Sequence, residues 1–260
     1  MYRMTANYHT HTYRCRHAFG TEREYIETAI VRGLKVLGFA DHVPQLFPGD
    51  YYSTYRMYPE ETENYVRTLT DLKNEYKNDI EILIGFETEY FPEIFPRLLE
   101  HLAPYDIDYF ILGQHFIDNE YDTRIYSGFP NSNEAHLKRY VDNVLEGLST
   151  GKFSYVAHPD LFHFDGDGEI FNKHYRRLCE GAKALDIPLE INFLGLAGRR
   201  HYPSDRFYKL ATEVGNSFIF GCDAHSPDEV MNRKAYALGA EFAKKFGITP
   251  IERLPLKKIK

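Results

Sequence analysis

The sequence predicts an α/β fold with a parallel sheet. Short apolar runs alternate with longer amphipathic ones, and several short runs are almost continuously apolar. No Pro/Gly/Ser-rich linker interrupts them, so the 260 residues read as one domain spanning 1–260. About seven such strand–helix units, joined by right-handed crossovers, are enough to close a barrel; an open doubly wound sheet is the alternative.

Strands are expected at 5–9, 35–40, 80–86, 107–113, 153–157, 187–193 and 217–222. Thr21 and Glu24 form a capping box before a helix that stops at Gly33. Leu137, Val141, Val144, Leu145 and Leu148 share one helical face. Ser204 is placed to cap a helix running to Gly215, and Ser226, Pro227 and Glu229 form a second capping box with proline at the first helical position.

The chemistry is concentrated at the strand ends. The seven expected strands end in turn at His9-Thr10-His11, Asp41-His42, Glu87, His115, His158-Pro159-Asp160, near Asn192, and at Asp223-Ala224-His225. In a parallel α/β barrel the C-terminal strand ends converge on one face, where active sites lie. An H-x-H at a strand end puts both imidazoles on one side, and D-x-H at 223–225 repeats that geometry. Neutral imidazoles with carboxylates suit zinc, iron or manganese better than calcium. So many donors exceed one tetrahedral ion, which implies a multinuclear centre bridged by a carboxylate.

Other features bound the answer. The net charge of −7 disfavours a sequence-independent grip on nucleic acid. The basic tail Leu256-Lys257-Lys258-Ile259-Lys260 reads as a solvated end. Cys15, Cys179 and Cys222 have no C-x-x-C spacing, which argues against a disulfide framework and for a reducing, cytoplasmic setting. The first residues carry no signal-type apolar run, and no stretch approaches the ~18 residues of a membrane span. Asp165-Gly-Asp167-Gly-Glu169 lacks the spacing of a calcium loop and reads as a turn. His136 and His174 are expected on helix surfaces, His163 and His201 in loops near the mouth.

Taken in order, His9-Thr10-His11-Thr12 with the later His17, Phe39-Ala40-Asp41-His42, Gly85-Phe86-Glu87, Gly113-Gln114-His115, Ala157-His158-Pro159-Asp160 and Gly221-Cys222-Asp223-Ala224-His225 resemble the motifs of the PHP (polymerase and histidinol phosphatase) family. Tyr55-Arg56-Met57 and Leu189-Glu190-Ile191-Asn192 followed by Gly195-Leu196 are similar to its stand-alone histidinol-phosphatase branch.

The resemblance implies a distorted seven-stranded (β/α) TIM-like barrel with a trinuclear centre of Zn, Fe or Mn ions. His9, His11, Glu87 and Asp223 would hold the first ion. Glu87, His115 and His158 would hold the second, and His17, His42 and His225 the third. The implied activity is hydrolysis of a small phosphomonoester, L-histidinol phosphate in histidine biosynthesis, by a hydroxide that two cations about 3.5–4 Å apart share. Arg56 and one of Arg199 and Arg200 are candidates to bind phosphate. Asp160 is the first candidate for general acid and Asp41 the second, with Asp223 and His225 also counted as catalytic. Competing readings are a PHP phosphoesterase acting on nucleotides, an amidohydrolase, and a metal-binding module without activity.

Overall fold

The computed structural model describes residues 4–122 and 124–259. Seven strands form one all-parallel sheet in sequential order: β1 Ala6–Asn7, β2 Val36–His42, β3 Glu81–Thr88, β4 Tyr109–Leu112, β5 Phe153–Val156, β6 Leu189–Asn192 and β7 Phe218–Gly221. Just beyond β1 and β7, Thr10 and Ala224 form a parallel bridge. There the His11 N–H donates to the Ala224 carbonyl at 2.9 Å and the Ala224 N–H to the His9 carbonyl at 3.2 Å. The sheet thus curls into a nearly closed TIM-like barrel, and the open-sheet alternative is excluded.

Eight α-helices surround it among the described residues: α1 Glu22–Val31, α2 Thr62–Glu75, α3 Phe95–Leu102, α4 Glu134–Ser149, α5 Gly168–Ala184, α6 Phe193–Ala197, α7 Asp205–Val214 and α8 Arg233–Lys245. The capping box at Thr21 and Glu24 forms as expected, and Ser204 caps α7, which ends at left-handed Gly215. Ser226-Pro227-Glu229 opens only a single 3₁₀ turn, not a helix. The Glu229 carboxylate instead accepts from the His225 N–H at 2.7 Å, and Asn232 caps α8. The pattern does turn the chain, but its acid serves the site rather than a helix end.

Two cores result from strand alternation. Outward residues such as Leu37, Phe39, Ile82, Ile84, Phe86, Phe110 and Leu112 pack under the helices. Inward ones, including Tyr8, Val36, Ala40, Leu83, Tyr109, Ile111, Tyr155 and Ile219, fill the barrel itself. Tyr109 crosses this interior to donate to the Tyr8 carbonyl at 2.7 Å. Its ring fits because β2 and β3 offer glycine opposite it: a Cβ at Gly38 would lie 2.3 Å from the phenol oxygen, and one at Gly85 2.5 Å from the ring.

The N-terminal end of the barrel is closed by the C-terminal segment. Leu254 is buried in the interior core and its N–H donates to the Tyr8 hydroxyl at 3.0 Å. The Lys257 N–H reaches Ser154 Oγ at 3.0 Å, so the basic tail is a packed strap rather than a free solvated end; Lys260 lies outside the described residues. The ligand-bearing C-terminal end is left free for function.

A Gly85→Ala variant should lose about 1–3 kcal/mol of stability, because the new methyl meets the Tyr109 backbone oxygen as well as its ring and neither can swing away. Chemical denaturation monitored by circular dichroism would measure it. An unchanged midpoint would show that the interior is looser than described.

Candidate metal centre

Glu87 sits near the end of β3 and points up the barrel axis, into space that only glycine at 113 leaves free: a Cβ there would fall 2.0 Å from Glu87 Oε1. Five imidazoles surround this buried carboxylate. His158 Nε2 lies 2.7 Å and His115 Nε2 3.5 Å from Oε1. His42 Nδ1 lies 3.0 Å, His9 Nε2 3.5 Å and His11 Nε2 3.6 Å from Oε2. Asp223, after β7, approaches the same histidines from the other side, its Oδ1 3.1 Å from His11 Nε2 and 3.4 Å from His9 Nε2. His17 and His225 complete the outer edge with their Nε2 atoms 3.0 Å apart. All nine expected ligands are therefore in one place, including His17, which reaches it from a loop.

The expected side-chain alternation does not deliver His9 and His11 unaided. Tyr8 belongs to the interior core, yet its neighbour His9 also reaches the site. Asn7 accommodates the irregularity: its Nδ2 donates to Thr10 Oγ1 at 2.7 Å, and its Oδ1 accepts from the Cys222 N–H at 2.9 Å. His158 and Asp223 hold positive φ angles of 29° and 49°. Such backbone costs on the order of 1–3 kcal/mol each and persists where surroundings impose it, typically at functional sites.

A second layer of carboxylates orients the ligands. Glu190, fully buried on β6, lies 2.8 Å from His9 Nδ1 and accepts from the His158 N–H and from Asn192 Nδ2, both at 2.9 Å. Gly221 is required beside it, since a Cβ there would come within 1.7 Å of Glu190 Oε1. Asp41 accepts from Thr12 and lies 3.7 Å from His11 Nδ1, and Glu89 lies 3.6 Å from His115 Nδ1. His17 Nδ1 faces the Cys15 carbonyl at 2.7 Å and His225 Nδ1 the Asp223 carbonyl at 3.1 Å. Each Nδ1 therefore carries the proton, and the two Nε2 lone pairs point at each other.

Facing lone pairs are unfavourable unless a cation lies between them. His9 Nε2 is likewise buried without a hydrogen-bond partner. Burial opposes ionisation of Glu87 and Asp223, but the surrounding histidines outweigh it and hold both carboxyls well below their usual range. Burial pulls the His11 pKa down, yet Asp223 and Asp41 raise it to about 9, while burial and His11 press His225 down to about 3. Several groups of three, among them His9–His11–Asp223, His9–Glu87–His158 and His11–His42–His225, bring ligand atoms within 4.8 Å of one another. The donor set fits metal ions.

The cluster forms the floor of a cavity of about 450 Å³, walled by Tyr55, Phe116, Tyr126, Leu161, Leu194, Tyr202 and Arg200. Here the expectations for Arg56, Arg199, Asp160 and Asp41 are corrected. Arg56 is 2% exposed and forms a buried ion pair with Glu89 and Glu120, so it faces no substrate. Arg199, left-handed at φ 50°, lines a separate cavity with Leu196, Asn232 and Lys234, so that of the two arginines it is Arg200 that lines the cavity over the cluster. Asp160 does not line that cavity: it is buried behind it, where its Oδ2 accepts from the Ser204 N–H at 2.6 Å. Burial lifts its pKa to about 7. Asp41, the second acid candidate, is buried, accepts from Thr12 and from the His42 N–H, and lies 3.7 Å from His11 Nδ1.

The remaining histidines stay apart. His163 and His201 stack on each other with centroids 4.1 Å apart. His174, expected on a helix surface, is instead buried against Glu134, 3.0 Å away. Sequence reading missed Glu190, Glu89 and Glu120 as members of the site. A period-two signal was available for Glu89, which follows Glu87 by two residues, and Glu190 is an acid within an apolar strand.

Two variants separate the layers. Glu190→Gln should cut metal retention during dialysis, and kcat/KM with it, by about 10–100-fold, since His9 loses its orienting carboxylate; full retention would remove that role. Asp160→Asn should keep kcat within a few-fold of the parent. It should also raise the melting temperature at pH 8 but not at pH 4, because the raised folded pKa means ionisation opposes folding progressively above the usual carboxyl range. A large loss of kcat would restore Asp160 as the acid.

The PHP domain family matches residues 7–193. A Deinococcus radiodurans protein named "Probable histidinol-phosphatase" is 30% identical over 247 residues, covering 88% of this chain and 90% of that one. The Bacillus subtilis histidinol-phosphatase is 30% identical over 85% of this chain and 94% of its own length. In fold, the chain is similar to the crystal structure of Lactococcus lactis histidinol phosphate phosphatase complexed with zinc, L-histidinol and phosphate. That match has a TM-score of 0.73 at 18% identity and covers 95% of each chain. With six ordered motifs meeting at one barrel mouth, this chain belongs to the PHP domain family.

Proposed function

We propose that this chain is a metal-dependent histidinol-phosphatase, a phosphoric monoester hydrolase that converts L-histidinol phosphate to L-histidinol and phosphate, with residues 1–260 acting as one domain. The observation that carries the reading is Glu87, with five imidazoles within 3.6 Å of its two oxygens at the floor of a cavity whose wall bears Arg200. The names of the Deinococcus and Bacillus relatives support the choice of substrate.

Two or three ions of the zinc, iron or manganese class would be held by His9, His11, Glu87 and Asp223, by Glu87, His115 and His158, and by His17, His42 and His225. Bound there, divalent cations supply positive charge against phosphoryl oxygens and lower the pKa of water. The chain's own groups do the rest. Arg200 donates to the Tyr202 hydroxyl at 2.8 Å, which steadies its guanidinium at the cavity wall to meet the phosphate dianion. Tyr55, Phe116 and Tyr126 offer aromatic faces of a size to enclose an imidazole, and the cavity volume suits a small ester. Among the described residues, Glu87 and Asp223 are the only carboxyl groups on its lining and are occupied as ligands, so the leaving alkoxide takes its proton from a phenol or from solvent.

Side-by-side kcat/KM measurements on histidinol phosphate, nucleoside monophosphates and a model diester test the assignment. Histidinol phosphate should be the best substrate, and preference for a nucleotide would overturn it in favour of the broader phosphoesterase reading. Chelation should abolish turnover and metal addition restore it. Arg200→Ala should lower kcat/KM by about 10²–10³-fold, while Arg199→Ala, facing away, should leave it near the parent value.

A further inference from the structure

Cys15 is buried beside the outer histidines, and the family-derived ligand sets leave it unused. It ends the 3₁₀ turn Tyr13–Cys15, which Thr12 caps and which Asp41 anchors through Thr12. Arg16 then turns left-handed at φ 68°, and the chain doubles back to present His17. As a result the Cys15 sulfur and one nitrogen each from His17 and His225 lie within 4.8 Å of one another. The sulfur forms a second such group with His11 and Asp41. His11 is fully buried, and its Nδ1 has no hydrogen-bond partner. Cys15 also acts on this edge through its carbonyl, which orients His17.

We propose that Cys15 is a ligand of the outer cation position, so that Cys15, His17 and His225, with His42 adjacent, form a sulfur–nitrogen set selective for a soft or borderline divalent ion. The proposal rests on the metal-dependent reading above and adds a division of labour to it. The inner positions carry the carboxylates Glu87 and Asp223 and accept harder ions. The outer position otherwise offers imidazoles as its ligands, with the neighbouring carboxylates Glu87 and Asp223 committed to the inner positions. A thiolate supplies both charge and softness. On binding, the Cys15 S–H bond breaks, a sulfur–metal bond forms from its electron pair, and the proton passes to solvent.

Cobalt(II) loading of the full-length protein tests this, because a thiolate ligand adds an intense near-ultraviolet charge-transfer band that imidazole and carboxylate ligands do not. The band is expected in the parent and in a Cys179→Ala/Cys222→Ala double variant, and should vanish in Cys15→Ser together with one tightly held cobalt equivalent. The weaker visible bands of the inner ions should persist in Cys15→Ser, which also reports that it has folded. Cobalt uptake without a thiolate band in the parent, or a band that survives Cys15→Ser, overturns the proposal while leaving the metal reading intact. Failure to bind cobalt at all overturns both. If Cys15→Ser does not fold, the band in the double variant still decides, since Cys15 is then the sole thiol.

Discussion

The dominant constraint in this molecule is the crowding of imidazoles around two buried carboxylates at one end of the barrel. Glu87 and Asp223 are each within reach of His9 and His11, and the remaining candidate ligands are added around that pair. In a medium of low polarity such a group is costly unless charge and lone pairs are satisfied together. Cations between the donors meet that requirement. Holding the donors in register accounts for much else, including positive φ at His158 and Asp223 and the obligatory glycines at 113 and 221.

Around the ligands lies a shell whose members have almost no contact with solvent. Glu190, Asp41 and Glu89 each face the distal nitrogen of a different histidine, while the Arg56 guanidinium pairs with both Glu89 and Glu120. The same arginine would be a poor phosphate ligand in such a setting, because removing it from two buried carboxylates would leave them unpaired. The cavity wall is instead formed by Arg200 and the aromatic side chains, which rest on loops beyond the strands. The barrel thus separates stability from chemistry. Tyr109, its facing glycines and the Leu254 plug fill the lower half, and the ligand cluster occupies the upper.

Strand positions and candidate ligands were legible because they obey short-range rules. Apolar runs of strand length, each ending in a polar residue of ligand type, recur seven times, and the direction of a parallel sheet sends those residues to one end. Arg56, Arg199, Arg200 and Asp160 were not legible in the same way. Arg199 and Arg200 are adjacent and chemically identical, and only a left-handed backbone at Arg199 sends them to different cavities. Asp160 follows His158 by two residues, yet its contact with Ser204, more than forty positions away, draws it behind the site.

The amino-acid order alone determined the architecture and eight of the donors that gather at the barrel mouth, since each of those lies at the end of an apolar run of strand length; loop-borne His17 was indicated only by the family resemblance. Tertiary structure alone decided which arginine faces the cavity, which acids stand as orienting partners, and that Cys15 lies among the outer histidines. Those outcomes depend on contacts between residues distant in sequence and on single backbone angles, and no local pattern encodes either.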